Sequence, residues 1–336
     1  PDKMKTADQL ITKVQVPDFH PKIRYPDPIM MAGSCFTEHI SNKLERYKYD
    51  IVSNPFGILY NPTSLAVSFD RIARLQFYDS DELVFQDGLY HSMDHHGSFS
   101  GKDKDAVLEK INRTLQHAHE HLKKSKVVCI SPGTSKVYRY AVTSAIAGNC
   151  HKIPQAAFSY EQLTMHQCEE AFEKIYSSIQ QLAPAAKIIW TVSPVRHLKD
   201  GLVENQRSKA TLILAISNLI QNHPGSDYFP AYEIMMDELR DYRYYARDLL
   251  HPSPVAVEII WDAFCDGYLD TQDLAYHAPI EKIKRAMEHR FLHNDQEAIR
   301  TFAKAQLNNV DQLAQLLPDL NWQKERLHFF EFLDID

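Results

Sequence analysis

At 336 residues the chain is long enough for one large domain with an appendage, or for two modest domains. Apolar residues make up 44% and charged residues 24%, the balance of a folded chain with a substantial core. The formal net charge of −7 leaves no basic excess to neutralise phosphates, which argues against a nucleic-acid partner, and no run of about twenty apolar residues offers a membrane span. The five cysteines (Cys35, Cys129, Cys150, Cys168, Cys265) show no CxxC spacing, as expected of reduced thiols rather than a disulfide framework or a zinc site. The N-terminal stretch PDKMKTADQLITKVQ lacks the apolar core of a signal peptide, so the expectation is a cytoplasmic chain.

Taken in chain order, strand-like and helix-like segments alternate, which predicts an α/β sheet covered on both faces. PIMMAG (28–33) is an unbroken apolar strand and FTEHISNKLERY (36–47) the helix after it. DIVSN (50–54) is a second strand; a helix over 61–78 opens on Asn61 as cap with Pro62 behind it. A turn-rich segment over 79–102 holds a hairpin at Asp87-Gly88. A helix over 103–124, a strand at 126–131, a helix over 159–182, a strand at 187–193, a helix over 204–222 and a short strand at 227–231 follow. Ser253 caps a helix over 253–269. Three helical patterns with no strand between them come next, so the boundary is set at 272: residues 1–272 form the α/β domain and 273–336 a helical appendage packed on it.

In a doubly wound sheet, ligands gather at the carboxyl ends of the strands. Those ends carry Gly33-Ser34-Cys35, Asn54-Pro55-Phe56-Gly57, Ser131-Pro132-Gly133-Thr134 and Ser193-Pro194. The loop before the helix at 253 carries Asp248 and His251, three apart, with Pro252 restricting His251 to extended backbone. Serine acyl transfer needs such a set. A base must take the hydroxyl proton, and a carboxylate on the far ring nitrogen fixes the tautomer and stabilises the imidazolium. Ser34 at a helix start gains backbone N–H groups and a positive dipole end for the oxyanion. Cys35 is the rival nucleophile, since a thiolate at a helix N-terminus has a lowered pKa. Adjacent side chains point apart, so one of the two faces His251.

GSCF after the first strand, SNPFGILYNPTSL after the second, NCHKIP at 149–154, TVSPVRH at 191–197 and DLLHPS near the end together resemble the GSCFA family of the SGNH (GDSL-like) hydrolase superfamily. The resemblance covers roughly residues 24–265. It implies a flavodoxin-like three-layer α/β/α sandwich with a mostly parallel sheet, Ser34 as nucleophile, His251 as base and Asp248 as its orienter. It also implies an oxyanion hole built from the Ser34 N–H, the Gly57 N–H and an asparagine side chain after the third strand. There the chain departs from the pattern: the superfamily's Gly-x-Asn-Asp reads GTSK, with Ser135 where the asparagine would sit. Either Ser135 donates, or Asn149 folds back to do so, or the hole is weakened.

The implied activity is ester hydrolysis, or acyl transfer, on a small acyl ester such as an O-acetylated sugar or metabolite. It needs no cofactor and has a small-molecule ester as its partner. Arg196 and His197 leave the fourth strand first and are candidates to contact an anionic or sugar-like substrate. His95 and His96 are candidates for a wall of the same cleft. Two readings compete: a binding module of the same fold with little or no turnover, and a metal-dependent hydrolase using His91, Asp94, His95 and His96. Against the second, consecutive histidines in an extended segment point to opposite faces.

Overall fold

The computed structural model describes residues 11–291 and 295–333, so most of the N-terminal stretch read for a signal peptide lies outside the described residues. Five strands form one parallel sheet: β1 (Ile29–Gly33), β2 (Ile51–Ser53), β5 (Val127–Ser131), β9 (Lys187–Trp190) and β10 (Ser226–Tyr228). Their order in space is β10-β9-β5-β1-β2. Counted within this sheet, that is the 2-1-3-4-5 order of flavodoxin-like folds, whose switch point lies between β1 and its neighbour β5. β1, β5 and most of β9 are wholly buried, which explains why they read as continuous apolar runs rather than alternating ones.

On one face lie α2 (Pro62–Arg74), α3 (Lys104–Lys124), α4 (Met165–Leu182) and α5 (Leu202–Asn222); on the other lie α1 (Cys35–Arg46) and α7 (Pro254–Tyr268). The helix starts follow their caps. The Asn61 side chain accepts the Ser64 N–H at 2.8 Å, with Pro62 in the first turn, and Ser253 accepts the Ala256 N–H at 3.3 Å ahead of Pro254. The hairpin of β3 (Leu83–Gln86) and β4 (Leu89–Ser92) turns on Asp87 (φ 50°) and Gly88 (φ 77°), the two positive φ values of a type I′ turn.

Two sequence expectations are corrected. The helix expected over 159–182 begins only at Met165. Residues Phe158–Gln162 are instead strand β8, paired antiparallel with β6 (Lys136–Tyr140), which also carries β7 (Ile146–Ala147). The break is a capping box: the Thr164 hydroxyl accepts the Gln167 N–H at 3.2 Å while the Gln167 side chain accepts the Thr164 N–H at 2.9 Å. The second correction lies beyond α7. After a short turn of helix, α8 (Thr271–Leu274), come α9 (His277–Met287), α10 (Gln296–Leu316) and α11 (Gln323–Phe330). The two helical patterns expected between 295 and 317 are one helix, because Asn308-Asn309 between them breaks no turn. A brief α6 (Ala231–Glu233) precedes them, leading into a π turn.

The three C-terminal helices enclose their own apolar cluster, including Ile280, Ile283, Val310, Trp322 and Phe329. They are tied to the α1–β2 corner by ions. Arg46 bridges both oxygens of Glu281, and Lys48 and Lys284 donate to one oxygen of the buried Glu325 at 2.8 and 2.6 Å. Among the described residues, no helix is long and apolar enough to cross a membrane.

Candidate active site

The carboxyl ends of β1 and β5 meet in register, Gly33 opposite Ser131. Gly33 has φ +149°, and a Cβ on it would lie 2.2 Å from the Ser131 carbonyl oxygen, so only glycine lets the strands close here. The closure lets the Ser34 N–H donate to that oxygen at 2.9 Å. From β2, the Asn54 side-chain oxygen accepts the Gly33 N–H at 2.9 Å. The backbone at Ser34 is thus pinned from both neighbouring strands.

Ser34 is the N-cap of α1, yet its hydroxyl makes no capping bond. A serine there ordinarily accepts an N–H of the first turn. Here its Oγ lies 3.5 Å from Ser131 Oγ, at the outer limit of a hydrogen bond, and the side chain is 1% exposed. Cys35, one residue on, has its thiol pushed up, chiefly by burial and next by Glu38, with Lys209 opposing. That is the reverse of what a thiolate nucleophile needs.

Asp248 and His251 form a self-contained knuckle. One Asp248 oxygen accepts the backbone N–H groups of Leu250 and His251, both at 3.0 Å; the other accepts from His251 Nδ1 at 2.6 Å. Those two backbone N–H groups and then the ring hold the Asp248 carboxyl down at about 2, so it is ionised at neutral pH. Ala246 closes the loop by donating to the His251 carbonyl at 2.7 Å, with Leu249 in the left-handed region at φ 61°. His251 Nε2 has no hydrogen-bond partner among the described residues. Burial, and to a smaller extent the His251 ring, lowers the pKa values of His39 on α1 and of His197 in the β9 loop. Ser34 and His251 are not hydrogen-bonded to each other; the serine is buried and the histidine half-exposed.

The remaining candidates separate. The Gly57 N–H donates to the Asn54 carbonyl at 2.7 Å, with φ +75°. Ser135 is fully buried and turned onto α5, where its N–H and hydroxyl both donate to Ser208 Oγ, at 2.7 and 3.1 Å. Asn149 uses its side-chain oxygen to hold the His151 N–H at 2.9 Å. His95 is a core histidine rather than a cleft wall. It is stacked on Phe56 at 4.2 Å, bonded to Ser92 at 2.8 Å and held down to about 3, mainly by burial. His96 is half-buried beside Gly57 and caps the turn at Ser98.

His91 bonds Ser100 and Asp94 accepts from Tyr78, so the four residues of the metal reading diverge. Among the described residues, no group of three or more His, Cys, Asp or Glu is placed to hold a metal ion. Arg196 lies against Tyr232 and Tyr245, with its Nε buried and unpartnered. It lines a cleft of about 510 Å³ that also touches Leu198, Leu202, Tyr242 and Asp248.

Lys209 belongs to the polar run after β9 that sequence alone offers as possible substrate contacts, but it turns inward. Its side chain is completely buried, Nζ donates to the Ser193 carbonyl at 2.6 Å, and burial pulls its pKa down to about 7. The signal was available: the inward stripe of α5 runs Asn205, Ser208, Lys209, Leu212, at helical spacing.

A family model described as the GSCFA family matches residues 28–264, and one described as GSCFA domain protein, C-terminal domain, matches residues 280–334. No curated protein matches the chain. Among solved structures, similarity is found to a Streptococcus pneumonia protein described provisionally as a platelet activating factor (12% identity, TM-score 0.39, covering 74% of this chain and 86% of that one). It is also found to a carbohydrate esterase family 3 protein from Talaromyces cellulolyticus (8% identity, TM-score 0.34, covering 76% and 98%).

Proposed function

The chain belongs to the GSCFA family, and from that premise we propose that it is a serine-dependent ester hydrolase working through an acyl-Ser34 intermediate. The observation that carries the reading is the 2.6 Å bond between Asp248 and His251 Nδ1, which leaves Nε2 unpartnered among the described residues, in a chain whose Ser34 hydroxyl caps nothing. In the proposed cycle Ser34 Oγ attacks the ester carbonyl carbon while His251 Nε2 takes the hydroxyl proton. The C–O bond to the alcohol then breaks as His251 returns that proton to the leaving oxygen. Water attacks the acyl-enzyme, its proton going to His251, and the acid leaves as Ser34 Oγ is reprotonated. Asp248, ionised throughout, holds the tautomer and balances the imidazolium.

Catalytic hydrogen bonds are often long before substrate binds, which accommodates the gap between serine and histidine. The 510 Å³ cleft beside Asp248, with tyrosines, leucines and the guanidinium groups of Arg196 and Arg240, suits a small acyl ester of sugar-like size and polarity. The test is a fluorophosphonate probe followed by mass mapping, with Ser34→Ala and His251→Ala alongside. Labelling of Ser34 that is lost in both variants is expected. Folded wild-type protein that is not labelled at Ser34 would sink the mechanism.

A further inference from the structure

The family pattern leaves the side-chain oxyanion donor without an owner, and Ser135 and Asn149 are both engaged elsewhere, on Ser208 and on the His151 N–H. The question becomes which side chain borders the space where an oxyanion on Ser34 would form. Gly133 marks that space. A Cβ built on it would lie 3.4 Å from Ser34 Cβ, 3.2 Å from Tyr60 Cδ1 and 3.7 Å from His197 Nε2. The absent side chain therefore leaves a small opening with the serine on one side and an imidazole nitrogen on the other.

Resting on the acyl-Ser34 reading, we propose that His197 donates its Nε2–H to the oxyanion, in place of the asparagine that the superfamily pattern sets after the third strand. Three fixtures hold the ring there. Tyr60 meets it edge-on, with centroids 5.5 Å apart at 90°, while the Tyr60 carbonyl accepts the Gly133 N–H at 2.7 Å, so one residue sets both sides of the opening. The loop carrying His197 is tied to the β5 loop by the Ser193 N–H on the Pro132 carbonyl at 3.0 Å. It is tied to α5 by Lys209 on the Ser193 carbonyl at 2.6 Å.

The environment divides the labour between the two histidines. Among the described residues no carboxylate bonds His197, whereas Asp248 bonds His251. Burial and then the Lys209 cation hold the His197 ring down to about 4, with Asp200 opposing and His251 reinforcing, so it is neutral at pH 7. A neutral imidazole that resists protonation is a poor base but a serviceable N–H donor to a developing oxyanion.

The experiment measures the rate of Ser34 phosphonylation by the fluorophosphonate, and kcat and KM on a small acyl ester, for wild type, His197→Ala and His197→Gln. Urea midpoints confirm that each is folded. A donor role predicts that His197→Ala slows both phosphonylation and kcat by about 10²–10³-fold, with KM little changed. His197→Gln, which keeps a side-chain N–H, should recover roughly tenfold or more of that loss. If His197→Ala labels at the wild-type rate, or if folded Ala and Gln variants are equally inactive, His197 is not the donor. An unlabelled wild type would remove the acyl-Ser34 reading and this proposal with it, an outcome visible before any His197 variant is made.

Discussion

Replacing Gly33 by alanine tests whether the strand closure behind Ser34 is as tight as the geometry requires. Three costs add. Residue 33 has φ +149°, a region essentially closed to L-residues, which costs about 1–3 kcal/mol. The new Cβ meets backbone: Ser131 O at 2.2 Å, its carbonyl carbon at 2.7 Å and its Cα at 2.9 Å. None of these can swing away as a flexible side chain would, so β1 and β5 must part, at about 1–3 kcal/mol for overpacking. Parting them stretches the 2.9 Å bond from the Ser34 N–H to the Ser131 carbonyl, worth about 1 kcal/mol net. The expected loss is about 3–7 kcal/mol, against a typical total of about 5–15 kcal/mol. Gly88→Ala is the control. Gly88 has φ +77° with nothing within 4 Å of its would-be Cβ, so conformation alone costs about 1–2 kcal/mol. Urea unfolding followed by far-UV circular dichroism gives both values from shifts in midpoint at constant slope. A Gly33→Ala loss no greater than that of Gly88→Ala would refute the argument.

Two further outcomes are expected. Asp248→Asn keeps an oxygen for the Leu250 and His251 N–H groups but presents an amide to His251 Nδ1, moving the ring proton to Nε2, where it blocks proton acceptance from Ser34. Hydrolysis should fall by about 10³–10⁴-fold with the fold intact, measured as kcat on the best ester; a loss below about tenfold would count against His251 as base. Lys209→Met should change how stability depends on pH. Below about pH 7 folded and unfolded lysine are both protonated; between 7 and 10.5 only the unfolded chain holds the proton, so wild-type stability rises with pH across that window. The buried charge therefore costs at most ~5 kcal/mol near neutrality, partly offset by the bond to the Ser193 carbonyl. The methionine variant should be the more stable at pH 7, with the difference shrinking towards pH 10. Denaturation curves with a constant difference over that range would contradict the buried-cation account.

What the sequence made legible was mostly local. Asn61-Pro62 and Ser253-Pro254 announced helix starts, Asp87-Gly88 a hairpin, and Asp248 with His251 a loop short enough to orient its own imidazole, because each signal acts within a few residues. The segment 136–162 is hard to read because its strands are short and half-exposed, and a helix begun at Ser159 overlooks the later start marked by the capping box at Thr164. The histidine-rich segment looked like one site because its residues are close in sequence, yet packing sends His95 under Phe56 and His96 to the surface. Ser131 beside Ser34, and His197 across Gly133, come from loops on three different strands. Their meeting depends on sheet order, which no local pattern encodes.

The two halves of the candidate site differ in how they are held, and this bears on how they can meet. Ser34 is fixed by its neighbours on β2 and β5, through Asn54 and Ser131, so it cannot move without opening the sheet. Asp248 and His251 are half-exposed and held largely by bonds within residues 246–251, with the Tyr245–Pro252 bridge at the base of the loop. A tilt of that knuckle as one body would keep the carboxylate on Nδ1. A ring rotation about χ1 alone would break the 2.6 Å bond on which the proposed base role of His251 rests. The cost of assembling the site therefore falls on the contacts of that loop, the low-stability part of a fold where such motion is least expensive. Under the proposed mechanism, a substrate lodged between Arg196 and Asp248 in the adjoining cleft would touch the same loop that carries His251.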